Sequence, residues 1–265
     1  MFSVVVRSGG PAARRAPGAA RYPRRAGAGR PGGSEPLRAI LRGSRDLAPD
    51  VRHFLFEVEN VSAFPFQPGQ FVSLSGDVNG KRITRAYSIA SVPDGNRFEI
   101  CLNRVHDGIF SPKLFAMREG DAVDIKGPVG TFGIRDAAAD MVMAATGTGV
   151  APFRSMIRHH LDTGGAGRIT LVFGVRYEKT LLYRTDFEQW ARDNPRFRFW
   201  PTLSRPEPDW QGRTGHVQAH VLEAVGERRD CDVYICGLKL MVDDLRRRLL
   251  ELGFEKKRLI FEKYD

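Results

Sequence analysis

Residues 141–152, MVMAATGTGVAP, decide the fold, because an apolar run typical of a strand passes directly into a pair of glycines and then into a helix start. Glycines let the backbone approach a phosphate closely, and a helix N-terminus presents free N–H groups and a positive dipole end to an anion. A Gly-x-Gly pair alone is usually an ordinary tight turn, whereas between strand and helix it favours a dinucleotide. The candidate binding residues are Thr146, Gly147, Thr148, Gly149 and Pro152.

The chain after this stretch repeats the same rhythm of strand followed by helix. Met241, Leu245 and Leu249 recur every four residues and form one apolar stripe on the last helix. Repeated units of this kind predict a parallel sheet with helices on both faces. The predicted strands cover residues 141–145, 169–175, 197–203 and 232–236, and the predicted helices before the last one cover 150–161, 185–192 and 217–225.

The chain before this stretch has a different pattern, of short strands separated by turn residues. Pro65, Pro68, Pro93 and Pro128 set turn geometry and could not continue a central strand. We therefore predict an antiparallel sheet or barrel with one short helix near 111–117. The two halves are different modules, with a boundary near Arg135, so that residues 37–135 and 136–265 form the two domains. Examples of the predicted strands are 52–57, 69–75, 82–89 and 97–102.

Composition is that of a globular protein long enough for two domains. The chain has 265 residues, of which 42% are hydrophobic and 27% charged. No apolar run approaches the roughly 20 residues that a membrane-spanning helix needs. Three cysteines argue against a disulfide framework and fit a reducing compartment, and we predict a cytoplasmic protein. No Cys or His spacing predicts a metal or an iron–sulfur cluster, so any such cluster in an electron pathway must lie on another protein.

The net charge of +10 is concentrated at the N-terminus. Residues 1–34 contain seven arginines and no acidic residue, which leaves +3 for the rest of the chain. We predict that residues 1–36 form a disordered basic extension, because they show no hydrophobic period. Three interpretations stay open, namely an organellar transit segment, a site for an acidic partner and a non-essential extension, which we favour. We predict no nucleic-acid binding by the folded body.

Residues 85–88 combine a cation, an aromatic ring and a hydroxyl on one short strand. Alternate residues of a strand share a face, so Arg85 and Tyr87 can converge on one ligand while Ser88 turns to another side. The alternative is an edge strand with an exposed arginine.

With this motif, the chain from Leu37 onward resembles the ferredoxin-NADP reductase family, which includes the reductase modules of oxygenase systems. The resemblance implies an antiparallel Greek-key β-barrel that binds FAD, followed by a Rossmann-like α/β domain with a parallel sheet that binds NAD(P). It places Arg85 on the FAD pyrophosphate, Tyr87 on the ribityl chain and ring system, and Ser88 near flavin N5. Residues 108–111 are similar to the family's Gly-x-x-Ser, which favours FAD over FMN. The implied FAD residues are Arg85, Ala86, Tyr87, Ser88, Leu102, Asn103, Arg104, Gly108, Ile109, Phe110 and Ser111.

The resemblance extends to the C-terminal half. Cys236-Gly237 matches a Cys-Gly pair that faces the nicotinamide in the family, and residues 120–121 and 127–132 are similar to its barrel-closing segment. Glu262 and Tyr264 match an ending in which a Glu precedes a Tyr by two, although here Asp265 follows the Tyr. The implied catalytic set is Ser88, Cys236, Glu262 and Tyr264, with Tyr264 covering the flavin ring.

The choice between NADPH and NADH depends on cations that would pair with the 2′-phosphate. Ser204-Arg205 resembles the NADP-selective pattern, while Arg176 and Arg213 are further candidates. The alternative for each arginine is a solvated loop position. We predict NADPH and leave NAD open.

We therefore expect a monomeric oxidoreductase that passes electrons between NADPH and ferredoxin, flavodoxin or another iron–sulfur carrier, by hydride transfer to flavin N5. Two alternatives stay open. One is an NADH-dependent reductase component of an oxygenase or a flavin reductase, and the other is a non-catalytic electron-transfer subunit of a larger complex.

Overall fold

The structure is a computed structural model that describes residues 37–264. The predictions for residues 1–36 and for Asp265 lie outside this range. The first half contains six antiparallel strands and one short helix, with the strand order β4-β3-β6-β1-β2-β5. These elements are β1 (Leu37–Ala48), β2 (Val51–Val58), β3 (Phe71–Val78), β4 (Lys81–Ser88), β5 (Arg97–Asn103), α1 (Ser111–Ala116) and β6 (Ala122–Val129).

The first sheet closes into a barrel. Ile89, directly after β4, pairs with Ile100 of β5 at the far edge of the sheet, and the Ala90 N–H donates to the Glu99 carbonyl at 2.7 Å. Alternate side chains of the strands point inward, and Phe56 stacks on Phe98 with ring centroids 5.6 Å apart. Each such fully buried aromatic side chain contributes about 1.5–3 kcal/mol relative to an exposed one. The predicted barrel is therefore confirmed.

The second half is an α/β unit with a parallel sheet in the order β10-β9-β8-β7-β11-β12. The predicted alternation of strands and helices is confirmed, with ends shifted by one or two residues. Two strands, β10 and β12, are additional to those predicted. The elements are β7 (Met141–Thr146), α2 (Ala151–Asp162), β8 (Ile169–Val175), α3 (Arg184–Asp193), β9 (Phe197–Leu203), β10 (Arg213–Thr214), α4 (Val217–Val225), β11 (Asp232–Leu238), α5 (Lys239–Glu251) and β12 (Leu259–Tyr264).

The order of the parallel strands reverses between β7 and β11. The chain runs outward from β7 through β8 and β9 on one side, and returns to place β11 on the other side. In open α/β sheets, ligands bind in the crevice at the carboxyl ends of the strands beside such a reversal. Thr146 ends β7, and Cys236 and Gly237 lie near the end of β11, so the glycine turn and the Cys-Gly pair meet at this crevice.

The two halves each have a core of their own and pack against each other through a further, shared cluster. A single cluster of buried side chains contains Ala90 and Phe132 from the first half together with Phe153 and Tyr234 from the second. The rings of Phe132 and Phe153 lie 5.7 Å apart. Burial across this contact holds the barrel against the α/β unit. The division at residues 135 and 136 stays a prediction.

None of the helices within residues 37–264 combines the length and the apolar character that crossing a bilayer requires.

Candidate active site between the two domains

A hydrogen-bonded set of side chains joins the barrel to the C-terminal strand. Ser88 ends β4 and is buried, while Tyr264 ends β12. The Tyr264 hydroxyl donates to Ser88 Oγ at 2.6 Å, and Ser88 Oγ donates to Glu262 Oε2 at 3.3 Å. Residues from the two halves of the chain therefore meet at one point.

Cys236 lies directly beside this set. It is fully buried on β11 and is in register with Glu262 on β12. Burial raises the pKa of the Cys236 thiol well above its usual range, and the Glu262 carboxylate raises it further, while a hydrogen bond with Tyr264 acts in the opposite direction. The thiol is neutral at physiological pH. The structure thus brings together all four residues of the catalytic set that the resemblance implied, while their roles stay predictions.

The protonation of the set is governed by burial. Burial raises the pKa of Glu262, and the hydrogen bond from Ser88 opposes that rise. Burial also raises the pKa of the Tyr264 phenol well above its usual range, helped by Cys236 and Glu262. A phenol that keeps its proton remains a hydrogen-bond donor. Ser88 Oγ therefore accepts a hydrogen bond from Tyr264 and donates one to the Glu262 carboxylate.

The glycine turn and the Cys-Gly pair are packed closely enough to exclude any side chain. A Cβ atom on Gly149 would lie 2.5 Å from the Cys236 carbonyl oxygen, and one on Gly237 would lie 2.2 Å from Thr146 Oγ1. Gly237 has φ +145° and Gly147 has φ +53°, which are backbone conformations that favour glycine. The turn therefore packs directly on the backbone of β11, whereas a Cβ atom on Gly147 would meet nothing within 4 Å, which leaves room ahead of helix α2 for a nucleotide phosphate.

The strand motif of the barrel presents the groups that a flavin nucleotide needs. Arg85 and Ala86 are exposed, and Arg85 Nη1 donates to the carbonyl of Thr84 at 2.9 Å. Tyr87 is half-buried against the barrel core, and burial raises its pKa to about 12. An exposed cation, an aromatic ring and the Ser88 hydroxyl thus follow one another along β4 and fit FAD.

The segment before α1 forms a tight turn. The Gly108 N–H donates to the Val105 carbonyl at 2.8 Å, and Ser111 Oγ accepts the Val105 N–H at 2.9 Å. The Ser111 hydroxyl oxygen is therefore an acceptor within the turn, and the hydroxyl hydrogen can still be donated to a ligand. Among the other implied FAD residues, Leu102 and Phe110 are buried, whereas Asn103, Arg104 and Ile109 are exposed.

The three candidate arginines for a 2′-phosphate differ in their surroundings. The Arg205 N–H donates to the Arg176 carbonyl at 2.9 Å, so the two residues lie together beyond the carboxyl ends of β9 and β8. Neither side chain forms an ion pair within residues 37–264. Arg213 instead pairs with Glu223 and lies 3.8 Å from the Trp200 ring centroid. Ser204 is next to Arg205, and its N–H donates to the Val175 carbonyl at 3.0 Å.

Sequence reasoning missed the polar contacts that hold the two domains together beside the site. Arg154 and Ser155 of α2 contact the barrel directly after β4. The signal in the sequence is an arginine among the apolar residues that open this helix, Ala151, Pro152 and Phe153. An arginine at that position is typical of an exposed face, so the pattern alone could not have revealed its partners.

A barrel whose strand end meets the crevice of a parallel α/β sheet defines a two-domain flavoprotein oxidoreductase. The family described as oxidoreductase FAD-binding domain matches residues 38–134, and the oxidoreductase NAD-binding domain matches residues 143–247. The chain therefore contains an FAD-binding and an NAD(P)-binding domain.

Known proteins give the more particular assignment. The chain is 41% identical over 242 residues to ferredoxin–NADP reductase B of Sorangium cellulosum, a match that covers 88% of this chain and 99% of that protein. The chain belongs to the ferredoxin-NADP reductase family.

Other relatives are reductase components. The chain is 30% identical to the phenol 2-monooxygenase reductase component DmpP of Pseudomonas sp. strain CF600, over 87% of this chain and 66% of that protein. The solved structure of the Amycolatopsis cytochrome P450 reductase GcoB has a TM-score of 0.78 and 30% identity, and the match covers 86% of this chain and 69% of that one.

Proposed function

We propose that this protein transfers electrons between NADPH and a one-electron carrier such as ferredoxin or flavodoxin, with FAD as the intermediate. The observation that carries the proposal is the contact of Ser88, at the end of the FAD-binding barrel, with Tyr264 and Glu262 beside the crevice of the NAD(P)-binding sheet. A site shared by the two domains is the place where two cofactors can exchange electrons directly.

The chemistry of the cofactors is simple to state. When bound, FAD accepts a hydride at N5 from a nicotinamide and can release electrons singly, so the protein supplies position and hydrogen bonds. Arg85, Tyr87 and the turn before α1 would hold FAD, and the backbone of residues 147–149 would hold the nicotinamide nucleotide.

The residues of the catalytic set would each have one task. The Ser88 hydroxyl lies at the junction of the domains, and its hydrogen bonds with Tyr264 and Glu262 fix its orientation. The buried, neutral Cys236 would lie beside Glu262 beneath the crevice without adding charge. Tyr264 is half-buried and donates to Ser88 Oγ, so its ring would exclude water from this hydroxyl until the nicotinamide enters.

NADPH is the proposed nicotinamide because Arg176 and Arg205, which a backbone hydrogen bond joins, have no carboxylate partner among residues 37–264. A 2′-phosphate between them would receive charge-assisted hydrogen bonds from both guanidinium groups. Arg213 already has its charge balanced by Glu223, so we place it second.

Replacing Arg205 by alanine is expected to raise the KM for NADPH about tenfold or more, because a lost charge-assisted hydrogen bond costs roughly 1.5–3 kcal/mol. The KM for NADH should not change, because NADH has no 2′-phosphate. Steady-state assays with both nicotinamides check this result. Arg192→Ala, on the exposed side of α3, is the matched control and should leave both constants unchanged. Equal changes for the two nicotinamides would contradict the assignment.

The second candidate is an NADH-dependent reductase component that serves an oxygenase. Its support is the likeness to DmpP, and the same assay distinguishes it, because an NADH enzyme would show a lower KM for NADH before any substitution. All three cysteines are buried singly as free thiols. Because no group of His, Cys, Asp or Glu within residues 37–264 could hold a metal ion, an iron–sulfur acceptor would not lie in this part of the chain.

Four further points stand as proposals. The mildly basic body of the chain, with its net charge of +3 outside residues 1–34, would favour an acidic carrier. We also propose a cytoplasmic location, a monomeric state and a domain division between residues 135 and 136.

A further inference from the structure

Two consecutive side chains of helix α2 connect the dinucleotide turn to the flavin strand. Arg154 Nη1 donates to the carbonyl oxygen of Ala90 at 2.9 Å, and Ser155 Oγ donates to the carbonyl oxygen of Ser91 at 2.5 Å. Ala90 and Ser91 follow Ser88 by two and three residues. Helix α2 itself begins directly after residues 147–150. The contact therefore joins the segment after Ser88 to the first turns of the helix that carries the dinucleotide turn.

The charges around Arg154 come from both domains. Its Nη1 also donates to Glu99 Oε2 of the barrel at 2.7 Å, and its Nε donates to Asp186 Oδ2 of α3 at 2.8 Å. The guanidinium lies 4.6 Å from the ring centroid of Tyr183, whose hydroxyl is 3.1 Å from His53 Nδ1 of β2. One guanidinium thus spans two carboxylates and an aromatic ring at the domain interface.

Burial makes these hydrogen bonds strong constraints on position. The Arg154 side chain is 17% exposed and Ser155 is fully buried. Ala90 is buried as well, so its carbonyl oxygen would remain unsatisfied without its donor, and the native orientation is preferred to any nearby one. On the barrel side, backbone hydrogen bonds hold the segment in place. The Ile89 N–H donates to the carbonyl oxygen of Gln70 at 2.9 Å, and the Ala90 N–H donates to the carbonyl oxygen of Glu99 at 2.7 Å.

We propose that Arg154 and Ser155 are positioning residues for hydride transfer, which set the angle between helix α2 and the end of strand β4 and thereby the alignment of the two cofactor rings. Two donors to successive carbonyl groups fix rotation as well as distance, whereas one contact would leave a pivot. Neither side chain belongs to the catalytic set, and the proposal rests on the proposed electron transfer between NADPH and FAD.

Other contacts keep the domains attached when this pair is removed. Phe132 packs on Phe153, and the Arg135 N–H donates to the Tyr234 hydroxyl at 3.0 Å. Removing the side chain of Arg154 or Ser155 should therefore disturb the alignment of the two cofactor rings more than it lowers the affinity of either nucleotide pocket. Because displacement by about 1 Å can slow a reaction a hundredfold, the expected change is in rate and not in affinity.

The experiment measures FAD reduction in a stopped-flow instrument at saturating NADPH, or at saturating NADH if the unchanged protein reacts faster with it. Arg154→Met is expected to slow reduction by about tenfold or more, and Arg154→Lys should recover part of the rate because an ammonium can still reach one carboxylate. Ser155→Ala should slow it by a smaller factor. The affinities for FAD and for the nicotinamide, and the rate of reduction by dithionite, should be unchanged.

Arg158→Met is the matched control, because Arg158 lies one turn further along α2 and pairs with Asp162 at the surface. The FAD of this variant should be reduced at the original rate. If Arg154→Met does not fold, Ser155→Ala carries the test, since it removes one hydrogen bond and no charge. Original rates in both variants, or affinities that fall in parallel with the rate, would overturn the inference. Failure of the unchanged protein to be reduced by either nicotinamide would instead overturn the proposed function.

Discussion

Replacing Gly149 by valine should lower nicotinamide-dependent reduction of the bound FAD by about a hundredfold or more. Even a single Cβ atom at this position would lie 2.5 Å from the Cys236 carbonyl oxygen and 2.9 Å from the Gly237 Cα. Both neighbours are backbone atoms and cannot rotate away, so the dinucleotide turn must move from the crevice. Stopped-flow reduction with NADPH measures the effect.

The barrel provides the control for this prediction. FAD binding and chemical reduction of FAD by dithionite should be unchanged, because the substitution lies in the α/β unit. Gly43→Ala is a matched substitution, since a Cβ there would approach no described atom more closely than 3.9 Å. The FAD of this variant should be reduced at the original rate. A valine variant that is reduced normally by NADPH would exclude residues 147–149 as the nicotinamide nucleotide site.

Replacing Ser88 by alanine should slow hydride transfer by about a hundredfold, the cost typical of removing one aligned donor in an active site. Its hydroxyl is the junction between Tyr264 and Glu262, so the alanine leaves Tyr264 without its acceptor and Glu262 without its donor. FAD affinity should change much less than the rate. Single-turnover reduction at saturating NADPH separates the two effects.

A serine elsewhere in the same barrel tests whether this effect is specific. Ser75 of β3 is also buried, and its hydroxyl is 2.8 Å from that of Thr84. Ser75→Ala removes a hydrogen bond of the same kind without touching the crevice and should leave the single-turnover rate unchanged. An unaltered rate in Ser88→Ala would remove Ser88 from the catalytic set.

Hydrophobic periodicity predicted most of the fold, because each element carries its own signal. The strands over 169–175 and 197–203 were located to the residue by their apolar runs. The presence of α5 was predicted, without its bounds, from the stripe of Met241, Leu245 and Leu249. Strand β12 was not predicted as a strand. Only Leu259 and Ile260 are buried there, and in the rest of the strand Glu262 and Lys263 lie between two aromatic residues, with no apolar period. Its strand conformation depends on pairing with β11, which is tertiary information.

The candidate site was predictable only as separate motifs. Residues 85–88 and 147–149 carry local signals, because a strand or a turn of that composition has a limited set of uses. The contact of Ser88 with Tyr264 joins positions 176 residues apart, and no spacing rule predicts it. The partners of Arg154 were equally hidden, since Glu99 and Asp186 lie on different elements that meet only after both domains have folded.

Anaerobic titration of the FAD-loaded protein with NADPH tests the central claim most directly. The account predicts that one equivalent of NADPH removes the absorbance of one equivalent of oxidised FAD, with NADH less effective at equal concentration. A colourless protein that takes up no FAD, or a bound flavin whose absorbance neither nicotinamide changes, would contradict it.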